Sequence, residues 1–325
     1  MSNQKTSNTH MDYNSVVTNQ RFIDILGSRI IKIISPASGV SPEKMAKLQR
    51  ISNLNVEFPS MDITRDIPFH ASGDNERFEQ LKNALYDEST NTILWTLRGG
   101  YGSARLIDRL ILLPKPAHEK IFIGFSDNTA LHLFLSQQWH WQTIHAAGFA
   151  QILDPDQDPE NYMRVAEIIA GNSSVPFISN LKPLNDAATA VNSVKGRLTG
   201  GNLTIVESSI GTPWQIQTER KIVFLEEVGE KGYRIDRSLN HLRQAGLLKD
   251  VSAILLGEFS HENEHKDINI ALERFAKETD IPVYKTEQFG HGRINYPLIY
   301  NTVSELSRSN GEYYYLKMDP RGEVR

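Results

Sequence analysis

The sequence predicts an α/β protein in which a parallel-sheet, Rossmann-like N-terminal domain precedes a smaller mixed α/β domain. Three short apolar runs, at residues 29–34, 91–97 and 120–125, are continuous rather than alternating. Such runs are typical of parallel strands that helices cover on both faces. Turns rich in glycine or serine and then amphipathic stretches follow the runs, which is the alternation of strand and helix found in parallel sheets.

The N-terminal half contains these three strands and the helices that follow them. The predicted helices are at residues 43–54, 105–113 and 129–138. The turns RGGYG and GFSDN come directly after the second and third strands, so we expect both at the carboxyl edge of the sheet, where functional loops lie. We assign this domain to residues 29–152 and expect the polar residues 1–28 to form a frayed tail.

The second half begins with a polar stretch at residues 153–192, which predicts a linker with a short helix near residues 163–170. We assign the C-terminal domain to residues 193–325. Its predicted elements are strands at 221–227, 252–259 and 282–285, helices at 234–245 and 267–277, and a closing hairpin at 303–318. Asn310-Gly311 between two alternating strands is typical of a hairpin turn.

Composition excludes several classes of protein. A formal net charge of −4 over 325 residues disfavours nucleic-acid binding, which normally requires a basic face. The absence of cysteine excludes disulfides, thiolate catalysis and cysteine zinc sites. The N-terminus lacks an apolar signal segment, and no run approaches the roughly 18 apolar residues that span a bilayer. We therefore expect a cytoplasmic protein with no membrane partner.

Ser126, in the turn GFSDN, is the first candidate for a chemical role. A serine on a sharp strand-to-helix turn can be a nucleophile, and the amide that follows it can begin an oxyanion hole. The usual elbow has glycine two residues later, where this chain has Asn128. An ordinary helix N-cap, with Asp127 at the positive end of the helix dipole, is the alternative, and the local sequence alone favours it.

The turn RGGYG, residues 98–102, is the densest glycine cluster in the chain. Paired glycines after a strand let the backbone approach a ligand or donate N–H groups to an anion. A dinucleotide loop needs a third glycine three residues beyond Gly102, but Arg105 occupies that position, and the pattern of a P-loop is also absent. A tight turn without a ligand is the alternative interpretation.

Residues that could assist a serine nucleophile lie far along the chain. Glu226 and Glu227 end an apolar strand, where a carboxylate can orient an imidazole, although a solvated strand end is the commoner role for a single glutamate. His291 lies between Gly290 and Gly292, which leave the ring room to act as a general base. A plain turn histidine fits the same pattern.

The segment His261-Glu262-Asn263-Glu264-His265 matches the HExxH pattern of zinc peptidases. That chemistry requires both histidines on one face of a packed helix. Here the segment directly follows an apolar strand, and helical periodicity begins only near Ile268. We therefore interpret it as a polar loop and keep a zinc enzyme as an alternative that metal chelation would test.

Six segments of distinctive composition occur in order between residues 30 and 306: IKIISPASG, TLRGGYGSARLIDRL, IGFSDNTALH, GRLTGGNLTIVESSIGTPW, FLEEVGEKGYRIDRSLNHLRQAG and FGHGR. Together they resemble the LD-carboxypeptidase family, whose other branch includes microcin C immunity peptidases. The resemblance implies a parallel α/β domain, a smaller C-terminal domain with a β-barrel-like sheet, and an active site between them. It also implies a homodimer that uses no cofactor or metal.

By position in these motifs, the resemblance implies a catalytic triad of Ser126 as nucleophile, His291 as base and Glu226 as the group that orients the imidazole. Backbone N–H groups of Gly100 and Asp127 are then expected to form the oxyanion hole. Arg98 is a candidate for the substrate's terminal carboxylate, which a guanidinium fork fits bidentately. The implied reaction is removal of the terminal D-alanine from murein tetrapeptides in cell-wall peptide recycling.

The chain departs from the family pattern after residues 141–145, where it reads His145-Ala146-Ala147-Gly148 instead of a His-Gly-Pro-Met-like segment. That difference leaves substrate preference open. An immunity-type peptidase that cleaves a peptidyl nucleotide is one alternative function, and a stacking aromatic near the cleft would favour it. A non-catalytic binding module is another, although the intact serine, glutamate and histidine positions disfavour it. RGGYG resembles the murein-peptide branch more closely.

Overall fold

The computed structural model describes residues 15–60, 69–172, 177–309 and 311–320. These residues form one open sheet of six strands and one closed barrel of seven. The predicted architecture, a parallel α/β domain followed by a mixed domain with a barrel-like sheet, is confirmed.

The strands in chain order are β1 (Ile30–Ile34), β2 (Val56–Glu57), β3 (Thr92–Thr96), β4 (Ile121–Gly124), β5 (Ile144–His145), β6 (Phe177–Pro183), β7 (Ser193–Asn202), β8 (Lys221–Val228), β9 (Ala253–Ser260), β10 (Val283–Lys285), β11 (Leu298–Ile299), β12 (Val303–Arg308) and β13 (Tyr314–Asp319). The α-helices are α1 (Gln20–Leu26), α2 (Pro42–Leu48), α3 (Asp74–Leu85), α4 (Ile107–Leu110), α5 (Thr129–Gln138), α6 (Pro159–Ile169), α7 (Asp186–Ala190), α8 (Leu203–Ser208), α9 (Gly232–Gln244) and α10 (His265–Lys277). None of the helices in the described ranges is long and apolar enough to cross a membrane.

The open sheet has the order β11-β5-β4-β3-β1-β2, and its pairs are parallel except that between β11 and β5. The central strand β3 is buried along its whole length, as its continuous apolar sequence predicts. The antiparallel edge strand β11 comes from the C-terminal half of the chain. The two halves therefore share this sheet, and the chain crosses back to complete it.

The barrel has the order β10-β6-β13-β12-β7-β8-β9 and closes between β10 and β9. Strands β7, β8, β9 and β10 pair in parallel, and the remaining pairs are antiparallel. The predicted closing hairpin is confirmed as β12 and β13. Gly311 in its turn has a φ of +126°, which only glycine adopts readily, and Asn310 lies outside the described residues.

The prediction of a frayed tail up to residue 28 is wrong for residues 15–26. A 3₁₀ turn, Ser15–Thr18, leads into α1, and the side chain of Asn19 caps that helix by accepting a 3.2 Å hydrogen bond from the amide of Phe22. Phe22 and Leu26 have no exposed surface, and α1 packs against α6. Residues 1–14 of the predicted tail lie outside the described residues.

The predicted linker at residues 153–192 is also corrected. Helix α6 buries Tyr162, Val165 and Ala166 in the core beside the open sheet, whereas β6 is a full strand of the barrel between β10 and β13. Polar residues at the exposed positions of α6 and β6 give both segments the composition of a linker. Helix α3 was not predicted, because buried Arg77 interrupts its apolar stripe.

Candidate active site

Ser126 lies two residues after the end of β4, in a strained turn. Its φ is +60°, a left-handed conformation that is uncommon for residues other than glycine. It begins a 3₁₀ turn, Ser126–Asn128, that runs into α5, whose N-cap residue is Asn128. The N-cap interpretation of Ser126 is therefore wrong, since a capping serine has an extended backbone. The geometry is instead that of a strand-to-helix elbow.

The glycines of RGGYG allow the loop after β3 to lie against this elbow. A Cβ atom added at Gly99 would lie 2.6 Å from Cβ of Ser126 and 2.8 Å from its Oγ. Gly100 has a φ of +111°, and a Cβ atom there would lie 2.1 Å from Oγ of Ser38. Because β3 and β4 are adjacent parallel strands, the two turns meet at one sheet edge, as their positions in the sequence predicted.

The side chain of Asp127 holds the two turns together. Its buried carboxylate accepts a 2.8 Å hydrogen bond from the amide of Ser103, and its carbonyl accepts a 2.5 Å bond from the Ser103 hydroxyl. Burial raises the pKa of Asp127, and hydrogen bonds from Ser103 and Gly102 oppose that rise. Asp127 thus caps the 3₁₀ turn after RGGYG, a role that its position after Ser126 did not indicate.

Arg77 on α3 also holds the loop that contains RGGYG, through a hydrogen bond to the carbonyl of Gly102. Its guanidinium group has no exposed surface and donates hydrogen bonds to the carbonyls of Pro36, Ser72 and Gly102, with Asp74 as its ionic partner. The sequence motifs did not indicate a role for Arg77. The available signal is an arginine at a position of the apolar stripe that also contains Phe78, Leu81 and Leu85 of α3.

Glu226 and His291 form a buried hydrogen-bonded pair in which Oε2 of the glutamate lies 2.6 Å from Nδ1 of the imidazole. The glutamate side chain has no exposed surface, and that of the histidine is 15% exposed. A carboxylate can only accept a hydrogen bond, so Nδ1 carries a proton and Nε2 is left to accept one. This is the arrangement that orients a general base.

The pKa of His291 results from opposing causes. Burial lowers it, but the charge of Glu226 and its hydrogen bond, with smaller contributions from Glu227 and Glu258, outweigh burial and raise the pKa above the ordinary value. The ring of Phe125 lies beside the imidazole, with the ring centroids 4.7 Å apart. Since Phe125 immediately precedes Ser126, the base lies next to the elbow.

The adjacent Glu227 has a different role. Its carboxylate accepts hydrogen bonds from the side chain of Asn202 at 3.0 Å and from the amide and hydroxyl of Thr204 at 2.8 and 2.7 Å. It therefore fixes the start of α8. Sequence alone did not distinguish the two glutamates, and the structure pairs His291 with Glu226.

Gly290 and Gly292 both lie against Glu258, and Gly290 has a φ of +134°, a conformation that favours glycine. A Cβ atom at Gly290 would lie 2.9 Å from Cβ of Glu258, and one at Gly292 would lie 1.8 Å from its Oε2. The amide of Glu258 also donates a 2.8 Å hydrogen bond to the carbonyl of Phe289. Burial raises the pKa of the Glu258 carboxyl, and a hydrogen bond from the amide of Gly292 opposes that rise.

A cleft of about 460 Å³ contains several of the predicted site residues. It is lined by Ser126, His291, Arg98, Gly99 and Gly100, whereas Glu226 lies behind the imidazole of His291 and does not line it. Lys44 of α2 also lines it, although sequence analysis did not single out that residue. The assignment of the oxyanion hole to the amides of Gly100 and Asp127 stays a prediction.

Residues 145–148, which depart from the family pattern, pack against the ends of β3 and β4, where RGGYG and GFSDN lie. The amide of Ala146 donates a 2.9 Å hydrogen bond to the carbonyl of Gly124, and a Cβ atom at Gly148 would lie 2.9 Å from Cα of Arg98. His145 is completely buried, and its ring nitrogens have no hydrogen-bond partner among the described residues. Burial lowers the pKa of His145 well below its ordinary value, so the ring is neutral.

The HENEH segment lies at a different surface. Residues 261–264 form a loop, as predicted, but His265 is already the first residue of α10. His261, Glu262 and His265 line a separate recess with Val228 and Ser260. Across the residues that the structure describes, no group of three or more histidine, cysteine or acidic side chains could hold a metal ion.

Comparison with known proteins identifies the family. Residues 31–146 match the LD-carboxypeptidase N-terminal domain, and residues 195–306 match the LD-carboxypeptidase C-terminal domain. The chain belongs to the LD-carboxypeptidase family. It is therefore a hydrolase of the peptidase class, which confirms the resemblance drawn from the sequence motifs.

Several LD-carboxypeptidase relatives cover most of the chain. A Rickettsia conorii protein named as a carboxypeptidase is 50% identical over 283 residues, covering 86% of this chain and 88% of the relative. The murein tetrapeptide carboxypeptidase of Pseudomonas aeruginosa is 28% identical over 293 residues, covering 85% and 92%. The muramoyltetrapeptide carboxypeptidase structure from Oxalobacter formigenes has a TM-score of 0.71 at 24% identity, covering 89% of this chain and 98% of that chain, and shows the same fold.

Proposed function

We propose that this protein is a serine carboxypeptidase that hydrolyses the amide bond between an L-centre, diaminopimelate or lysine, and the terminal D-alanine of murein tetrapeptides. The observation that carries the proposal is the buried 2.6 Å contact between Glu226 and His291, because the imidazole of His291 lines the same cleft as the strained Ser126. A hydroxyl needs an oriented imidazole to become a nucleophile, and an imidazole needs a fixed acceptor at its other nitrogen.

The reaction follows from these positions. Nε2 of His291 takes the hydroxyl proton as Oγ of Ser126 attacks the scissile carbonyl, and the imidazolium then gives that proton to the departing amine of D-alanine. Water attacks the resulting acyl-enzyme, His291 takes its proton, and the shortened peptide leaves with a new carboxylate while Ser126 regains its proton. Amides of Gly100 and Asp127 would stabilise each oxyanion, and losing one such donor typically costs about 3–4 kcal/mol.

The murein substrate is supported by relatives and by charge. Related proteins from Pseudomonas aeruginosa and Oxalobacter formigenes are named as tetrapeptide carboxypeptidases. Arg98 lines the cleft, where its guanidinium group is suited to the terminal carboxylate of a peptide. We place this activity in cytoplasmic recycling of cell-wall peptides and propose a homodimer, as the sequence resemblance implies.

A second candidate function is cleavage of a peptidyl nucleotide. The structure of the microcin C7 self-immunity protein MccF in complex with glutamyl sulfamoyl guanosine has a TM-score of 0.72 at 16% identity, covering 90% of this chain and 96% of that chain. Tyr101 of RGGYG and the neighbouring Phe69 are 50% and 75% exposed, with ring centroids 6.4 Å apart. Exposed aromatic rings near the cleft are suited to stacking on a nucleobase.

The decisive experiment incubates purified murein tetrapeptide with the wild-type protein and with Ser126→Ala, and measures free D-alanine. We expect release by the wild type and a loss of about 10⁶-fold in kcat for the variant, as when a serine nucleophile is removed from a triad. Ser208→Ala is the matched control, because this serine is exposed on α8 and bonds only locally to Ile205. Equal release by wild type and Ser126→Ala would contradict the assignment, and a peptidyl-nucleotide substrate tests the second candidate.

A further inference from the structure

Lys44, which is not part of the proposed triad, also lines the cleft. It lies in the first turn of α2, where the hydroxyl of the N-cap residue Ser41 accepts a 3.2 Å hydrogen bond from its amide. Lys44 and Arg98 line the same cleft as Ser126 and His291. Two cationic side chains on separate elements therefore converge beside the nucleophile.

The charge of the cleft is unbalanced. None of the described residues that line it carries a carboxylate, whereas Lys44 and Arg98 are both cationic. Within the described ranges no ion pair involves Lys44 or Arg98, and the guanidinium of Arg98 reaches only the carbonyl of Gly39, at 3.4 Å. By contrast, Lys47 on the same helix pairs with Glu43 at 2.8 Å.

Burial is the largest influence on Lys44 and lowers its pKa. The charge of Asp154 opposes this effect, and the neighbouring charges of Arg98 and Lys47 add to it. A half-buried ammonium group beside a guanidinium group is stabilised by a bound anion, since an opposite charge offsets both desolvation and repulsion. The cleft is thus built to receive an anionic group close to Ser126.

We propose that Lys44 and Arg98 together bind the C-terminal carboxylate of the peptide and thereby restrict hydrolysis to the last residue. In an amino acid leaving group, one Cα atom separates the scissile nitrogen from the terminal carboxylate. A receptor in the same cleft as the nucleophile therefore recognises that carboxylate and excludes longer or amidated peptides. This inference rests on the proposed carboxypeptidase function and adds a specificity-determining residue, Lys44, to it.

The test compares two tetrapeptides that differ only in a free or amidated C-terminus, with release of D-alanine or D-alaninamide measured by mass spectrometry. For Lys44→Met we expect kcat/KM on the free acid to fall about 10- to 100-fold, mainly through KM, as for loss of one charge-assisted hydrogen bond. On the amide, kcat/KM should change less than about twofold. Lys44→Arg should retain the preference for the acid, and Lys47→Met is the control on the same helix.

The outcomes separate the two proposals. If the wild type releases neither D-alanine from the free acid nor D-alaninamide from the amide, the proposed function fails and the inference fails with it. If the wild type is active but Lys44→Met loses activity equally on acid and amide, or on neither, the carboxylate receptor is refuted while the serine carboxypeptidase stands. Thermal unfolding of each variant identifies a loss of folding, and retained selectivity in Lys44→Arg distinguishes charge recognition from packing.

Discussion

Oε2 of Glu226 lies 2.6 Å from Nδ1 of His291, and the carboxylate that makes this contact is completely buried. Glu227, the next residue of β8, instead bonds Asn202 and Thr204. Alternation along a strand directs the two side chains to opposite faces, so one glutamate contacts the imidazole that lines the cleft and the other contacts the start of α8. Two identical neighbouring residues thus have separable roles.

Glu226→Gln is expected to lower kcat about 10⁴-fold with the fold retained. A glutamine keeps the size of the side chain, but its amide can hold the imidazole in the wrong tautomer and cannot stabilise the imidazolium that forms during the reaction. Steady-state release of D-alanine from the murein tetrapeptide measures the effect. Unchanged kcat in a folded Glu226→Gln protein would remove this residue from the proposed triad.

Glu227→Gln supplies the matched comparison. We expect it to keep kcat within about tenfold but to lower the free energy of unfolding by about 1–3 kcal/mol, since the new amide cannot accept all the hydrogen bonds from Asn202 and Thr204. Urea unfolding measures the stability. A larger kinetic effect for Glu227→Gln than for Glu226→Gln would reverse the assignment.

The pH dependence of activity should reflect the raised pKa of His291. The base must be neutral to take the proton of Ser126, so kcat/KM is expected to rise with pH through a midpoint above the ordinary histidine value of 6.5. In Glu226→Gln the residual activity should have its midpoint at lower pH, because the charge that raises the pKa is gone while burial still lowers it. A wild-type midpoint below 6.5 would contradict this electrostatic account.

The contribution of the Glu226–His291 pair to stability should fall as pH rises, whereas activity should rise. Because the folded-state pKa of His291 is above its unfolded value, the pair with Glu226 stabilises the fold fully below pH 6.5, and this contribution is lost as pH rises through the folded pKa. The difference in unfolding free energy between wild type and Glu226→Gln is therefore expected to be larger at pH 6 than at pH 9. Urea titrations at the two values measure it.

The sequence was sufficient to predict those features that depend on local pattern. Continuous apolar runs located β1, β3 and β4, and the positions of RGGYG and GFSDN after adjacent strands placed the two turns at one edge. The resemblance then indicated which distant residues accompany Ser126. The contact between Glu226 and His291 required the structure, because it depends on how a barrel strand meets a loop 65 residues later.

Other features depend on tertiary packing, which local pattern indicates weakly or not at all. The buried guanidinium group of Arg77 bonds to three loop carbonyls, and Lys44 on α2 lines the same cleft as Arg98, which follows β3. Individually, each is an ordinary basic residue on an amphipathic helix. The edge strand β11, only two residues long, is defined by its partner β5 rather than by its own sequence.

Gly99→Ala is expected to reduce kcat at least about 100-fold without unfolding the protein. The added methyl group would lie 2.6 Å from Cβ of Ser126, so the elbow or the loop after β3 must move, and a displacement of about 1 Å at a reacting atom can cost that much. Gly73→Ala is the control, since the nearest atom to its added Cβ is a glutamate oxygen at 3.7 Å. Full activity of Gly99→Ala would show that the elbow tolerates displacement.

Phe22→Ala tests whether residues before the first strand belong to the folded core. Phe22 has no exposed surface and shares a core with Tyr162 and Val165 of α6, so its truncation should lower the free energy of unfolding by about 3–5 kcal/mol. Arg21→Ala removes a neighbouring, 60% exposed side chain and its 2.8 Å ion pair with Glu167, so it should lower the free energy of unfolding by no more than about 1 kcal/mol. If residues 15–26 were frayed, the two variants would have the same free energy of unfolding. If α1 is packed, the large loss of stability should occur only in Phe22→Ala.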